Sequence, residues 1–289
     1  PEGVLRALDL TIGRRVAGLL SGDYRSSALG VGTEFAQLRA YEPGDDVRLI
    51  DWNVTARTQQ PHIRVQVADR VLTTWLVLDA SPSMSFGTAQ RRKADVAEGV
   101  AIAVGHVSTR HGNALGVVTF GSGPTRTMPP SQGRPGMLGL LLSVRDGWES
   151  TAGQGDSLRT TLEYMTRVAH RSKVVIIVSD FRGAQDWSGP MTELAGRNTV
   201  IAVEIRDPRE QELPDVGELH LVDPETGRQL RVDTSRKGLR ERFAQAAVEE
   251  RANVAADIRK TGARHAVLTT SGDWLRDFAG FLKQKGQMR

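Results

Sequence analysis

Near the middle of the chain, Val174 to Val178 run without a polar interruption into Ser179-Asp180. Successive side chains of a strand point to opposite faces, so a strand apolar at every position needs cover on both sides. That requirement is met in α/β folds, where helices pack on the two faces of a mostly parallel sheet. A second run, Trp75 to Leu78, ends in Asp79, and Asn198 to Ile205 and His265 to Thr269 read as further buried strands. Ala114 to Phe120 reads as another, followed by a short strand near Thr125 to Met128 that Pro129-Pro130 closes. Helical spacing appears between them: Val96, Val100, Val104 and Val107; Met137, Leu138, Leu141 and Leu142; Leu239, Phe243, Ala247, Val254 and Ile258, stopped by Gly262; and Trp274, Phe278, Phe281 and Leu282. The alternation predicts a doubly wound, mostly parallel, Rossmann-like sheet.

The first of these strands delivers its Asp79 into a D-x-S-x-S loop, Asp79, Ser81 and Ser83, with Pro82 stiffening the turn between the serines. One carboxylate and two hydroxyls form a small oxygen-only cluster that suits Mg²⁺ or Mn²⁺. Asp and Ser also cap helices, so a capped strand-to-helix turn is the alternative. Asp180 ends the fourth strand. In a doubly wound sheet, ligands gather beyond the carboxyl ends of strands where the strand order reverses.

Other function classes are narrowed by composition. The chain has 289 residues, 39% hydrophobic and 25% charged, as in an ordinary globular protein. It has no cysteine, which excludes disulfides, thiolate metal sites and cysteine nucleophiles. A net charge of +4 without a basic block interleaved with aromatics gives no nucleic-acid footprint. No apolar run is long enough to span a bilayer and no signal-peptide pattern is visible, so a cytoplasmic location is expected. The six histidines show no paired ligand spacing.

Residues 1–72 read as an N-terminal amphipathic helix over 4–20 followed by a β/α region, and residues 73–289 as the wound domain. In the β/α region, Thr33 to Tyr41 predicts a strand, Pro43-Gly44-Asp45 a turn, and Asp45 or Asp46 the cap of a short helix. Trp52 is expected in the core and Asp51 beside an arginine. An alternating strand follows from Pro61. Glu218 to Asp223 and Gln229 to Asp233 flank Pro224-Glu225-Thr226-Gly227, a hairpin at about 215–234 inserted into the wound sheet. It is expected to pair with the strands around Thr33–Arg39 and Pro61–Asp69 in a small β-rich subdomain.

EFAQLRAYEPGDDVRLIDWNVTAR followed by LDASPSM is similar to the domain of unknown function 58 (DUF58) family, whose bacterial and archaeal members carry a von Willebrand factor A (vWA)-like module. The likeness runs from about Ser21 to about Leu282. The DASPS loop itself resembles the metal-ion-dependent adhesion site (MIDAS) of vWA domains. That resemblance implies that Ser81 and Ser83 bind the ion directly, Asp79 and Asp180 largely through water, and a third hydroxyl from Thr151, with Ser150 its rival. Ser157 or Asp156 is expected to cap the helix after that loop. One coordination position is left for an Asp or Glu of a protein partner. The family resemblance further implies an adaptor for a MoxR-type AAA+ ATPase in protein assembly or maturation.

The leading expectation is therefore a non-enzymatic interaction module. A metal-dependent phosphatase or phosphotransferase would need a second acid two residues after Asp79, where Ser81 stands. No phosphate-binding G-x-x-x-x-G-K-[ST] loop and no G-x-S-x-G elbow is present. A scaffold with a degenerate metal site is the other alternative. Arg91-Arg92-Lys93, next to the D-x-S-x-S loop, is a candidate cluster facing an acidic partner.

Overall fold

The computed structural model describes residues 29–67, 73–88, 90–110, 113–133, 136, 139–140, 155–169 and 174–283. They divide between two compact units, one within Gly22–Val71 and the other within Leu72–Arg289. The helix expected over 4–20 lies outside the described residues.

In the smaller unit, strands β1 (Leu29–Ala40) and β2 (His62–Val67) pair antiparallel. Between them Asp46 caps a 3-10 turn, Val47–Leu49, by accepting from the Arg48 N–H. Asp51 caps helix α1 (Trp52–Thr58) by accepting from the N–H groups of Asn53 and Val54. Trp52 is not a core residue: it is 70% exposed. Helix α1 is two turns long and buries no residue, too little surface to cover an indole.

The larger unit is built on a six-stranded sheet in the order β10-β7-β6-β3-β4-β5. Its strands are β3 (Thr73–Asp79), β4 (Ala114–Phe120), β5 (Arg126–Gln132), β6 (Val174–Ser179), β7 (Thr199–Arg206) and β10 (Arg264–Thr269). All neighbours are parallel except β5, which pairs antiparallel with β4 at the edge. Strand β5 continues through Pro129 and Pro130 rather than ending before them. An edge position beside a register shift lets two residues without N–H donors stay in a strand.

Period-2 alternation sorts the sheet's side chains between two cores. Leu76, Leu78, Ile176 and Val178 face helices α2 (Lys93–Arg110) and α6 (Trp274–Lys283), where Val96, Val100 and Phe278 lie. Trp75, Val77, Val175 and Ile177 face the other side. There they meet Leu162 and Met165 of α3 (Leu158–Val168), Met191 of α4 (Ser188–Ala195), and Val254 and Ile258 of α5 (Lys237–Lys260). Ser157 caps α3 by accepting from the Thr160 N–H, while Asp156 instead accepts from the N–H and hydroxyl of Thr125. Gly262, at φ +81, ends α5 in the left-handed conformation that suits glycine.

The hairpin, β8 (Glu218–Val222) and β9 (Gln229–Asp233), forms a separate two-stranded sheet. Among the described residues, β8 and β9 hydrogen-bond only to each other, and the ladder of β1 and β2 likewise holds only those two strands, so the expected joint sheet is not formed.

Replacing Leu76, fully buried between β3 and α2, by Ala should cost about 3 kcal/mol through the cavity it leaves. Trp52→Ala should change stability by less than about 0.5 kcal/mol. Urea unfolding of both variants followed by far-ultraviolet circular dichroism checks the contrast.

Candidate functional site

Strand β3 lies between β4 and β6, so the order reverses at β3, and Asp79 and Asp180 end adjacent strands there. Both are buried, at 5% and 1% exposure. The loop after Asp79 folds back on its carboxylate: Oδ1 accepts from the Ser81 N–H at 2.9 Å, and Oδ2 accepts from the Ser179 hydroxyl. The Met84 N–H closes the turn onto the Ser81 carbonyl. Ser81 Oγ and Ser83 Oγ are 3.1 Å apart. Gly121, at φ +95, lies against the back of this loop. A Cβ there would stand 2.6 Å from the Ser81 nitrogen, and a Cβ on Gly155 would stand 2.3 Å from Gly121 backbone. The chain leaving the segment that contains Ser150 and Thr151 therefore packs on Gly121, behind Ser81. Ser150 and Thr151 themselves lie outside the described residues.

The turn after Asp180 is strained. Phe181 adopts φ +52, a left-handed backbone that a bulky residue rarely takes. Burial and an edge-to-face contact with Trp187 at 5.4 Å hold it there. This turn directs the N–H of Phe181 to Ser179 Oγ and the N–H of Arg182 to Asp180 Oδ1.

Lys93 changes the expected electrostatics. It is fully buried, and its Nζ donates to Asp180 Oδ2 and Glu210 Oε1, each at 2.6 Å. The cluster Arg91-Arg92-Lys93 is thus not one partner-facing surface. Arg92 pairs with Asp95, Arg91 donates to Gln90, and Lys93 points inward. Burial would raise the pKa of Asp180. The charge and hydrogen bond of Lys93, with donors from Arg182 and Ser83, outweigh it and hold Asp180 below the usual carboxylate range. Asp79 has no such cation: burial and then the charge of Asp180 push it above that range, against hydrogen bonds from Ser179 and Ser81.

Further buried charges continue from Lys93 along the sheet's carboxyl ends. Arg251, on the core face of α5, bonds Glu204 at 2.7 Å and Glu210 at 3.4 Å. Glu204 also takes Arg206 and His265. Asp207 forms a capping box with Glu210 and accepts from Thr88 and Thr270. It thereby ties the D-x-S-x-S loop's far end to β7 and β10. A final carboxylate comes from the hairpin, where Glu225 Oε1 accepts from the Ser83 N–H at 2.9 Å.

Sequence reasoning found Asp79, Ser81, Ser83 and Asp180, and the structure brings these four together. It assigned Lys93 to a partner-facing surface rather than to Asp180, and it missed Glu204, Asp207, Glu210, Arg251 and Glu225. Two signals were readable. Glu204 is the charged residue inside the apolar run of β7, and Arg251 falls at helical spacing between Ala247 and Val254. Both patterns place a charge in a core, where it requires a partner.

Among the described residues, no group of three or more His, Cys, Asp or Glu side chains is placed to hold a metal ion. The donor set is instead hydroxyl-rich, and it fits a small divalent cation. The separation of Ser81 and Ser83 oxygens is close to the ~3 Å edge of an octahedron with bonds of about 2.1 Å. A cation between Asp79 and Asp180 would also relieve their repulsion.

Comparison with known proteins agrees with the sequence likeness. The family model "Protein of unknown function DUF58" matches residues 37–253, and the chain belongs to that family. Two uncharacterized proteins, one from Mycobacterium bovis and one from Mycobacterium tuberculosis, are each 39% identical over 283 residues, covering 97% of this chain and 88% of theirs. Among solved structures, conserved hypothetical protein BatB from Bacteroides thetaiotaomicron matches with TM-score 0.46 and 13% identity, over 74% of this chain and 98% of its own. A von Willebrand factor type A protein from Catenulispora acidiphila matches with TM-score 0.42 and 14% identity, over 76% of this chain and 44% of its own. The sheet itself is mostly parallel and doubly wound, with helices on both faces. No helix among the described residues is long and apolar enough to cross a membrane.

Lys93→Met should destabilise the fold by about 3 kcal/mol, since it leaves Asp180 buried without its cation. A loss under about 1 kcal/mol in urea unfolding would show that the ammonium is not the counter-ion. The second test concerns Glu204. Burial would raise its pKa, but hydrogen bonds from His265 and Arg206 and the charges of Arg206 and Arg251 hold it at about 2. A depressed folded pKa contributes stability above the unfolded value and loses it as pH falls through the folded one. Stability should therefore fall from pH 4.5 toward pH 2, by on the order of 3 kcal/mol. Glu204→Gln should flatten that slope in denaturation curves taken across the window.

Proposed function

We propose that this protein is a non-enzymatic, divalent-cation-dependent interaction module. Mg²⁺ or Mn²⁺ bound by Ser81 and Ser83, with Asp79 and Asp180 behind them, takes an Asp or Glu carboxylate from a protein partner. The observation that carries this reading is the convergence of those four side chains at the reversal of strand order, with the two hydroxyls 3.1 Å apart. Hydroxyl ligands leave the ion most of its charge, which suits capture of an anion. Thr151, with Ser150 beside it, remains the proposed source of a third hydroxyl. The partner proposed from the family likeness is a MoxR-type AAA+ ATPase, or its client, in the cytoplasm.

One observation favours a second reading, a scaffold that needs no ion. Lys93 already neutralises Asp180 from inside the protein. Calorimetric titration of Mn²⁺ separates the two. The module reading expects saturable one-to-one binding, weakened at least about tenfold in the Ser81→Ala, Ser83→Ala double variant, as loss of two direct ligands implies. Absence of binding, or equal binding by the variant, supports the scaffold.

A further inference from the structure

The hairpin carries its own acid to the D-x-S-x-S loop. Its turn is built for that purpose by Asp223, whose Oδ1 accepts from the Glu225 N–H and whose Oδ2 accepts from the Thr226 hydroxyl. Gly227, at φ +69, returns its N–H to the Asp223 carbonyl. The fixed turn places the Glu225 carboxylate on the Ser83 backbone, 142 residues away in sequence. Ser83 is also a proposed ion ligand. The carboxylate from β8–β9 therefore stands against the loop to which a partner's carboxylate would come.

The hairpin is secured at its base, where Arg240 pairs with Asp215 and donates to the Thr234 carbonyl. Thr234 N–H also bonds the Gly217 carbonyl. Beyond the base, β8 and β9 pair with each other alone among the described strands. A two-stranded hairpin is marginally stable by itself. Val222 and Leu230 near the tip are 56% and 57% exposed. Beside the tip is a cleft of about 350 Å³, lined in part by Ser83, Phe86, Leu221, Phe243, Arg182 and Arg209. Its wall joins apolar surface to Arg182 and Arg209 and to the carboxylates Glu210 and Glu250, with Arg182 3.5 Å from Glu210, so the space beside the tip is open to a side chain of a partner.

We infer that Glu225 is an internal ligand of the D-x-S-x-S loop, and that an acidic partner residue binds by displacing it, opening the hairpin tip. The inference rests on the interaction reading above, and it adds the residue with which a partner competes.

The test uses the full chain and two variants, Glu225→Ala, which removes the acid, and Asp223→Ala, which loosens the turn but keeps it. Circular dichroism confirms that each is folded. Hydrogen exchange over residues 80–88 is measured first. The Ser83 amide should exchange at least several-fold faster in Glu225→Ala, and unchanged exchange would overturn the docking. The probe for competition is a cyclised peptide copying residues 222–229, titrated with and without Mn²⁺. It should bind Glu225→Ala at least tenfold tighter than the wild type, with Asp223→Ala between them. The same peptide carrying Glu225→Ala should not bind. Equal affinity of wild type and Glu225→Ala for the acidic peptide, or equal binding of both peptides, would overturn the inference. Failure of the cation reading shows separately, as absence of saturable Mn²⁺ binding in calorimetry of Glu225→Ala without the peptide.

Discussion

Two carboxylates buried at the ends of adjacent strands repel each other, and the larger unit is arranged around that repulsion. Asp79 and Asp180 are brought together by strand order and cannot separate without breaking the parallel pairing of β3 with β6. Desolvation makes each charge costly, and proximity makes the pair more so. The fold compensates unequally. Asp180 receives the buried ammonium of Lys93, whereas Asp79 receives only hydroxyl and N–H donors. Ser81 faces the unbalanced acid, Asp79, and Ser83 faces Asp180.

Lys93 carries a second consequence. Its other acceptor, Glu210, joins Arg251, Glu204, Arg206 and His265 in one hydrogen-bonded polar set linking β7, β10 and α5, with Arg206 and His265 at its half-buried edge. Such a set contributes little net stability compared with an apolar core of the same shape, yet losing one member is costly. Its structural effect is positional: Asp207 and Glu210 fix the turn after β7, Asp207 holds Thr88, and Lys93 holds the start of α2. The D-x-S-x-S loop is thereby fastened at both ends, and the hairpin contacts it from outside through Glu225.

Much of this was legible in the sequence because apolar periodicity is a local signal. The unbroken runs ending in Asp79 and Asp180 specified buried parallel strands, and the wound topology then placed both acids at one crevice. Ser81 and Ser83 followed from their spacing. What was not legible depended on long side chains crossing between elements. Lys93 looked like one of three surface cations, since its reach to Asp180 appears only when α2 packs on the sheet. Trp52 looked like core because of its size, but its short helix offers no cover. The hairpin's turn chemistry was readable, while its target was not, because nothing local in Pro224-Glu225-Thr226-Gly227 indicates the Ser83 N–H. The sequence also held no register between the hairpin and the strands of the smaller unit, because pairing of distant strands has no local signature; the described strands form two separate ladders.

The central claim is that the hydroxyls of Ser81 and Ser83, set before two buried acids, form a cation site. Anomalous diffraction from crystals grown with Mn²⁺, recorded at the manganese edge, tests it most directly. The account predicts a single strong peak about 2.1 Å from both hydroxyl oxygens, with Lys93 still on Asp180. Crystals at saturating Mn²⁺ with no peak in that crevice would contradict it and leave Lys93 as the resident cation.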